Sequence, residues 1–346
     1  FNVETTFSSS NHLDKACLFK DNANFKDCSF SQETNFSEVI FEADTDFSRS
    51  TFSVISFQGA IFYQNVRFHQ SIFKNNVDFF DTSFKKMVKF YLSEFYEAQQ
   101  FHTTDFLDRA IFSNTVFHKE AQFLHNKVEN NSYINFESAK FKRGLDISRS
   151  NFNCNLNFFN VKVEEEGDEY IFKHLEEVKY KDHSREHTEE AFPSVYQQLR
   201  ETYRIIKNNF YSQNNRIEGL KFYKREMSVY KREIRLLSWD KILLLANQFS
   251  SNFGTSWSRG VLFTVSAGII TLLPISCNLK FSLTSEGVGN FLKALVDVLN
   301  LTDWNDMSIL GEKLTNWQYI FLFIGRIFIA YGIYQTVQAF RKYGKS

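Results

Sequence analysis

Residues 47–62, "FSRSTFSVISFQGAIF", decide the fold of the N-terminal half, because phenylalanine returns there every five residues. From Phe25 to Phe123 the phenylalanines are five or six residues apart, and the two intervals mostly alternate. An α-helix would spread these rings over its whole surface, and a long β-strand would point them to alternate faces. A short period that fits neither element predicts a solenoid, in which each repeat forms one side of a coil.

The residue two positions before each phenylalanine is small or β-branched, as at Ala23, Thr45 and Val66. One large and one small inward side chain fill a narrow tube, while the intervening polar residues face water. The period blurs at 126–135, where "NKVENNSYIN" adds residues, and then resumes as far as Val163. We therefore predict a β-solenoid over residues 1–163.

This repeat resembles the pentapeptide-repeat family over roughly residues 7–163, and the stretch at 47–62 shows the resemblance best. The resemblance implies a four-sided right-handed β-helix. With about 22 residues per coil it implies about seven coils, and at the ~4.8 Å strand spacing a rod roughly 30 to 35 Å long. Some relatives bind gyrase as acidic mimics of DNA, but here Lys85, Lys86 and Lys89 offset Asp78 and Asp81. DNA mimicry is therefore not expected.

Composition excludes several function classes. The 40 basic and 40 acidic residues cancel, so nothing predicts a nucleic-acid partner. The four cysteines lack C-x-x-C spacing, which favours unpaired thiols over zinc or disulfides. Since no catalytic triad order, phosphate loop or metal-spaced cluster appears, we predict no enzyme, no catalytic residue, no cofactor and no permanent metal site. The first residue is Phe and no signal peptide opens the sequence, so we expect that its natural start is missing.

Two segments join the repeats to the C-terminal part. Residues 164–192 are a charged run with few apolar anchors, which predicts a solvated linker. Its histidines fit no metal-binding spacing. Residues 193–236 show two amphipathic patterns separated by "YSQNN", which predict a helical hairpin that caps the end of the solenoid.

Residues 237–346 are predicted to be a membrane domain. Segment 241–249 is too short to span and is typical of an interfacial helix, whereas 260–277 and 317–337 are long enough to cross a bilayer. A buried helix pair in a soluble domain is the alternative. Basic residues flank both outer ends, so we expect a multi-pass protein of the inner cell membrane with the repeat domain and the C-terminus in the cytoplasm.

The segment between the two spans indicates a pore. "GNFLKALVDVLNL", 289–301, has helical spacing but is too short to cross, which predicts a re-entrant pore helix. Non-helical backbone at membrane depth requires protein or water around it. Several copies must then surround an axis, most simply four, so a homotetramer is expected.

The next residues, "LTDWND" at 301–306, resemble the filter of voltage-gated-like sodium and calcium channels. The resemblance implies Na⁺ or Ca²⁺ as the permeant cation. No potassium-type filter and no arginine-rich voltage sensor is present. The roles that the resemblance implies are backbone carbonyls at Leu301 and Thr302, a carboxylate ring at Asp303, an anchor between subunits at Trp304, Asn305 within the filter, and an outer acidic ring at Asp306.

The whole chain resembles a bacterial group of membrane-anchored pentapeptide-repeat proteins with a two-span ion-channel tail. The resemblance is carried by "FYKREM" at 222–227, "SSNFGTSW" at 250–257 and "YQTVQAFRKYG" at 334–344. It implies a cation channel whose cytoplasmic repeat domain senses or binds a protein or a ligand. The alternative is a non-conducting membrane-anchored scaffold whose solenoid binds a protein partner.

Arg326 lies in the middle of the second predicted span, where a cation is costly. If it lined the axis, it would repel cations and favour an anion path or a closed gate. If it paired with Asp297 on the pore helix, it would brace the filter, and this is the interpretation that we favour. Gly325 and Gly332 predict close helix packing, with a hinge as the alternative.

Overall fold

The computed structural model describes residues 5–7, 17–164, 194–275, 285–302, 308–310 and 312–343. The chain forms two compact units, Phe1–Tyr230 and Lys231–Ser346. The predicted linker beyond Glu164 lies outside the described residues, and so do four residues of the predicted filter: Asp303, Trp304, Asn305 and Asp306. The helical hairpin that we predicted as a separate connector belongs, up to Tyr230, to the same unit as the solenoid.

The first unit is a β-solenoid built from short parallel strands. As far as β18, each strand pairs with the strand four elements later in the sequence, so the strands form stacks along the solenoid. The two longest stacks contain seven strands each, which gives about seven coils, as predicted. The stacks are β1 (Thr5–Thr6), β5 (Thr34–Asn35), β9 (Ile55–Ser56) and β13 (Val77–Asp78); β2 (Leu18–Phe19), β6 (Ile40–Phe41), β10 (Ile61–Phe62), β14 (Ser83–Phe84) and β18 (Asp105–Phe106); β3 (Ala23–Asn24), β7 (Thr45–Asp46), β11 (Val66–Arg67), β15 (Val88–Lys89), β19 (Arg109–Ile111), β22 (Tyr133–Asn135) and β25 (Asn155–Asn157); β4 (Ser29–Phe30), β8 (Thr51–Phe52), β12 (Ile72–Phe73), β16 (Glu94–Phe95), β20 (Val116–Phe117), β23 (Lys140–Phe141) and β26 (Lys162–Val163); and β17 (Gln99–His102), β21 (Ala121–Leu124) and β24 (Leu145–Asp146).

The alternation of five and six residues has its origin in the corners of the coil. A residue in the left-handed backbone region lies two positions after every second phenylalanine, as at Asp27, Glu38 and Arg49. Gly59 occupies the same position with φ 66°. Such a residue turns the chain sharply. The next phenylalanine therefore follows after five residues at these corners, whereas six residues usually separate the phenylalanines at the intervening corners.

Phenylalanine rings fill the interior of the solenoid in columns. Phe68 lies parallel to Phe47 and to Phe90, with ring centroids 5.1 Å and 5.0 Å apart. Within the same layer it meets Phe57 edge to face at 5.5 Å. Parallel contacts along the axis and edge-to-face contacts across it are both favourable for aromatic quadrupoles. The columns therefore keep successive coils in register.

Hydroxyl groups at the small inward positions satisfy the corner carbonyls. Thr82 Oγ1 donates to the Phe57 carbonyl oxygen at 2.7 Å, one coil earlier. Thr104 and Thr115 make the same 2.7 Å bond to the coil that precedes each of them. All three threonines are buried. Each of these carbonyl oxygens also accepts a backbone N–H of its own corner, so the hydroxyl binds the second lone pair and links one coil to the next.

A helical hairpin caps the C-terminal end of the solenoid, as predicted. Helix α1 is Val195–Ser212 and helix α2 is Arg216–Glu233. Helix α1 begins at a capping box, in which the Ser194 and Gln197 side chains each accept a hydrogen bond from the other residue's backbone N–H. Leu199, Tyr203 and Ile206 on α1 pack against the phenylalanine core.

The cap also satisfies backbone groups of the last coils. Asn209 Nδ2 and Gln213 Nε2 both donate to the Leu156 carbonyl oxygen at 3.0 Å. Thr202 Oγ1 accepts from the Ile147 N–H at 3.1 Å. An open end of a β-solenoid exposes unpaired strand groups that favour aggregation. The hairpin therefore closes this end with hydrogen bonds as well as apolar contacts.

Cys17, Cys28 and Cys154 are free thiols. Burial raises the pKa of the Cys154 thiol from 9.0 to about 11. Because the thiolate is the reactive form, the rise of two pKa units lowers the thiolate fraction at pH 8 by about 100-fold.

We expect a variant whose only cysteine is Cys154 to react with iodoacetamide about 100-fold more slowly in its folded state than when it is unfolded in denaturant. Alkylation rates followed by mass spectrometry test this expectation. Equal rates in both states would contradict the burial of this thiol.

The second unit contains α3 (Trp239–Ser251), α4 (Trp257–Ile275), α5 (Ser285–Leu299), the antiparallel hairpin β27 (Ser308–Ile309) and β28 (Glu312–Lys313), and α6 (Asn316–Tyr343). Helices α4 and α6 are long and apolar enough to cross a membrane. In the most apolar 18-residue stretch of each helix, only 28% of the residues of α4 and 33% of those of α6 are buried. Most of their apolar surface is thus uncovered by this chain, unlike that of a helix in a soluble core. The hairpin β27–β28 was not predicted.

Candidate functional site

Glycines and threonines bring α4 and α6 into close contact. A Cβ atom on Gly325 would lie 2.7 Å from Thr271 Cβ, and one on Gly332 would lie 3.0 Å from Phe263 Cδ1. Thr271 Oγ1 donates to the Ala267 carbonyl oxygen of its own helix at 2.7 Å, so the hydroxyl needs no partner across the interface. The close packing of the two helices explains why glycine stands at positions 325 and 332, and no hinge is needed to explain it.

Helix α5 lies against α4 with its C-terminal end beside the middle of that helix. Gly268, the twelfth of the 19 residues of α4, faces Leu295 and Leu299 of α5. A Cβ atom on Gly268 would lie 3.0 Å from Leu299 Cδ2. With 15 residues, α5 is about 22 Å long, whereas a spanning helix needs roughly 20 residues.

The chain returns from α5 through the hairpin β27–β28 into the same apolar cluster. Ile309 is buried among Leu272, Ile275 and Leu322. Leu310 forms the turn of the hairpin with φ 54°. The hairpin that follows the predicted filter therefore packs against α4 and α6 through Ile309.

Asp297 binds this returning segment. Asp297 Oδ2 accepts a hydrogen bond from the Leu310 N–H at 3.3 Å. In the tight turn at Leu310 the N–H does not enter the strand ladder, so a side-chain acceptor satisfies it. We had predicted that Asp297 pairs with Arg326; among the described residues no such ion pair is present, and the hydrogen bond to Leu310 is found instead.

Arg326 lies on the buried face of α6. It shares this face with Leu322, Ile329 and Gly332, and only 4% of its surface is exposed. A residue that lines the axis of an oligomer is exposed in an isolated subunit, because its neighbours there are water or other copies. The burial of Arg326 within one chain therefore argues against an anion path along this side chain.

The remaining described filter positions follow α5 directly. The Thr302 N–H and Oγ1 both donate to Asn300 Oδ1, at 3.0 and 2.6 Å. This Asx turn ends the helix. Leu301 is half-buried and packs against the apolar cluster of the unit. The roles predicted for Asp303, Trp304, Asn305 and Asp306 concern residues outside the described part of the chain.

An open cavity with mixed polar and apolar walls lies on the face of α5 that carries Asp297. Its volume is 710 Å³. Among the described residues of the chain, no group of three or more His, Cys, Asp or Glu side chains is placed to hold a metal ion. The cavity is lined by Asn290, Leu292, Lys293, Val296, Asp297 and Leu310.

Residues 15–54 match the family model described as Pentapeptide repeats (9 copies). The repeats of the solenoid are pentapeptide repeats. Neither the search of curated proteins nor that of solved structures gave a match. The matched pentapeptide repeats lie in the first coils, so the function of the second unit is argued from its own geometry.

A polar network that sequence reasoning missed joins α3 to α6. Asn247 Oδ1 accepts from Tyr331 Oη and from Gln335 Nε2, each at 2.7 Å. Ser251 Oγ donates to Gln335 Oε1 at 2.7 Å. The polar residues that interrupt an apolar helix pattern at Asn247 and Gln335 were the available signal. We had predicted α3 as a helix at the membrane surface, but its Asn247 is also bound to α6.

Proposed function

We propose that this protein is a subunit of an oligomeric cation channel in the inner cell membrane. The observation that carries the proposal is that α5 is too short to cross a bilayer and ends beside Gly268 in the middle of α4. A chain that turns inside the apolar layer needs protein or water around its free backbone groups. A ring of subunits, most simply four, supplies both around a shared axis.

The exposed surface of α4 and α6 supports a membrane location. Trp257, the first residue of α4, and Trp317, the second residue of α6, are both exposed, as expected for the headgroup level. Arg341 and Lys342 lie in the last turn of α6. Lys231, Arg232 and Arg235 precede α3. This bias of basic residues favours a cytoplasmic repeat domain and C-terminus.

Carboxylates would supply the selectivity. In an oligomer, copies of Asp303 and Asp306 form rings that concentrate cations and replace part of their hydration shell. Asp297 assists by holding the Leu310 turn, and with it the end of the filter loop, against α5. Na⁺ or Ca²⁺ is the permeant ion that we propose, with the carbonyl oxygens of Leu301 and Thr302 completing the site.

The solenoid is the sensing or binding domain in this proposal. We take it to be a four-sided, right-handed coil, which the pairing of strands four elements apart supports. Acidic and basic residues are mixed along it, as in the ion pairs Arg49–Asp27 and Arg67–Asp46. A cytoplasmic protein or ligand is therefore a more suitable partner than a nucleic acid.

Single-channel recording in planar bilayers tests the proposal. We expect the purified full chain to give discrete cation currents, and Asp303→Asn or Asp306→Asn to lower the cation conductance about tenfold, because each substitution neutralises a whole ring of charge.

The matched control is Asp240→Asn. Asp240 is an exposed acid in the first turn of α3, outside the proposed filter, so this variant should conduct like the parent. A membrane-inserted chain that carries no current would overturn the channel and leave the anchored scaffold.

A further inference from the structure

An apolar groove runs along one side of α4 in the second unit. Its volume is 1150 Å³. On α4 it extends from Arg259 to Pro274, and a helix segment of 15 residue steps is about 22 Å long. Helix α3 forms one wall with Leu245 and Phe249, and α6 forms the other with Ile324 and Phe328, among further residues.

The groove is apolar along most of its length and basic at one end. At that end Arg259 is exposed, and its guanidinium makes no hydrogen bond or ion pair with any described residue. On α3, Gln248 also lines the groove and precedes Phe249, whose ring lies 6.2 Å from that of Phe263, one turn after Arg259. Gln248 Oε1 accepts from Lys231 Nζ at 2.7 Å, which leaves the amide hydrogens of Gln248 available as donors. None of the described residues that line the groove is acidic. This end therefore suits an anion that is attached to an apolar chain.

We propose that the groove binds one acyl chain of an anionic phospholipid, whose phosphate is held by Arg259 and the Gln248 amide. The inference rests on the membrane location in the proposed function. Half of a hydrocarbon core is about 15 Å thick, so a groove of about 22 Å accommodates the chain of one leaflet together with its glycerol. Trp257, which is exposed two residues before Arg259, marks the same headgroup level.

Binding at this place would act on three helices at once. The lipid chain contacts α3, α4 and α6, and α3 is fixed to α6 by the hydrogen bonds from Tyr331 and Gln335 to Asn247. An occupied groove replaces exposed apolar surface with close contacts between these helices. The phosphate adds charge-assisted hydrogen bonds that a zwitterionic lipid satisfies less well, because its own cation competes for the phosphate.

Native mass spectrometry of the full chain in detergent tests the proposal by measuring how tightly each lipid is retained. With added phosphatidylglycerol or phosphatidylcholine, we expect phosphatidylglycerol to be retained about tenfold more tightly, which corresponds to about one charge-assisted hydrogen bond. Arg259→Gln should abolish this preference. The matched control is Arg235→Gln, an exposed arginine outside the groove lining, which should retain it.

A second variant tests the groove itself. Ser266 is a half-buried residue of the lining, so Ser266→Phe fills the groove and should weaken the binding of both lipids. Equal retention of phosphatidylglycerol by the parent and Arg259→Gln overturns the proposal. Disulfide crosslinking of Ser266→Cys between two copies, with the native cysteines replaced by serine, overturns it as well, since a second copy then occupies the groove.

The two proposals fail separately. Lipid retention is measured without any current, so a chain that binds phosphatidylglycerol but does not conduct overturns only the channel. A chain that conducts but does not distinguish the two lipids overturns only the lipid site.

Discussion

Replacing Phe68 with alanine is expected to lower the free energy of unfolding of the solenoid by about 3–5 kcal/mol. Phe68 is fully buried in the middle of the coil stack. Its ring contacts Phe47 and Phe90 along the axis, and Phe57 and Phe79 across it. Alanine would remove these contacts and those to Phe52 and Phe73, and would leave a cavity that the rigid neighbouring coils cannot close.

The loss should be largest near the substitution, because each coil of a solenoid contacts only its neighbours. Hydrogen exchange of the full chain in detergent measures this local loss as faster exchange of backbone N–H groups near residue 68. These groups bond to the next coil, as the Phe68 N–H does to the Lys89 carbonyl oxygen. Phe159→Ala is the matched control, because Phe159 is 60% exposed. Equal protection in the two variants would show that the columns of rings do not hold the coils together.

The solenoid was predictable because its period is a property of the chain itself. Each phenylalanine repeats the same local environment, so the spacing from Phe25 to Phe123 is enough to predict the coil. The alternation of Thr82 and Thr104 with apolar residues at the small positions was interpreted as a matter of volume alone. Their bonds to the Phe57 and Phe79 carbonyl oxygens join residues 25 positions apart, and only the coil length reveals them.

The apolar helices were predictable from length and composition, but their mutual contacts were not. The sequence places α5 near residues 289–301, and the structure has it at Ser285–Leu299. The partner of Asp297 depends on a hairpin of two-residue strands, which carries too few residues to show a pattern. An ion pair with Arg326 is predicted from charge alone, whereas the Leu310 N–H, which the turn leaves outside the strand ladder and which binds Asp297, is visible only in three dimensions.

Replacing Gly325 with alanine should destabilise the contact of α4 with α6 by about 1–3 kcal/mol, the usual cost of overpacking. The added Cβ atom would lie 2.7 Å from Thr271 Cβ, and neither atom belongs to the flexible end of a side chain. One of the two helices must therefore move. The melting temperature of the full chain in detergent, followed by circular dichroism of the helices, measures the loss.

Two further variants separate helix contact from helix propensity. Gly289→Ala is the matched control, since a Cβ atom there meets nothing within 4 Å and alanine favours a helix over glycine by about 1 kcal/mol. This variant should melt at the same temperature as the parent or higher. Combining Gly325→Ala with Thr271→Gly removes the opposing Cβ atom and should cost less than the sum of the two single changes, because the two sites share one contact. Strictly additive losses would mean that Gly325 is required for a change in backbone shape, such as a hinge, and that the packing of α4 on α6 tolerates a larger residue.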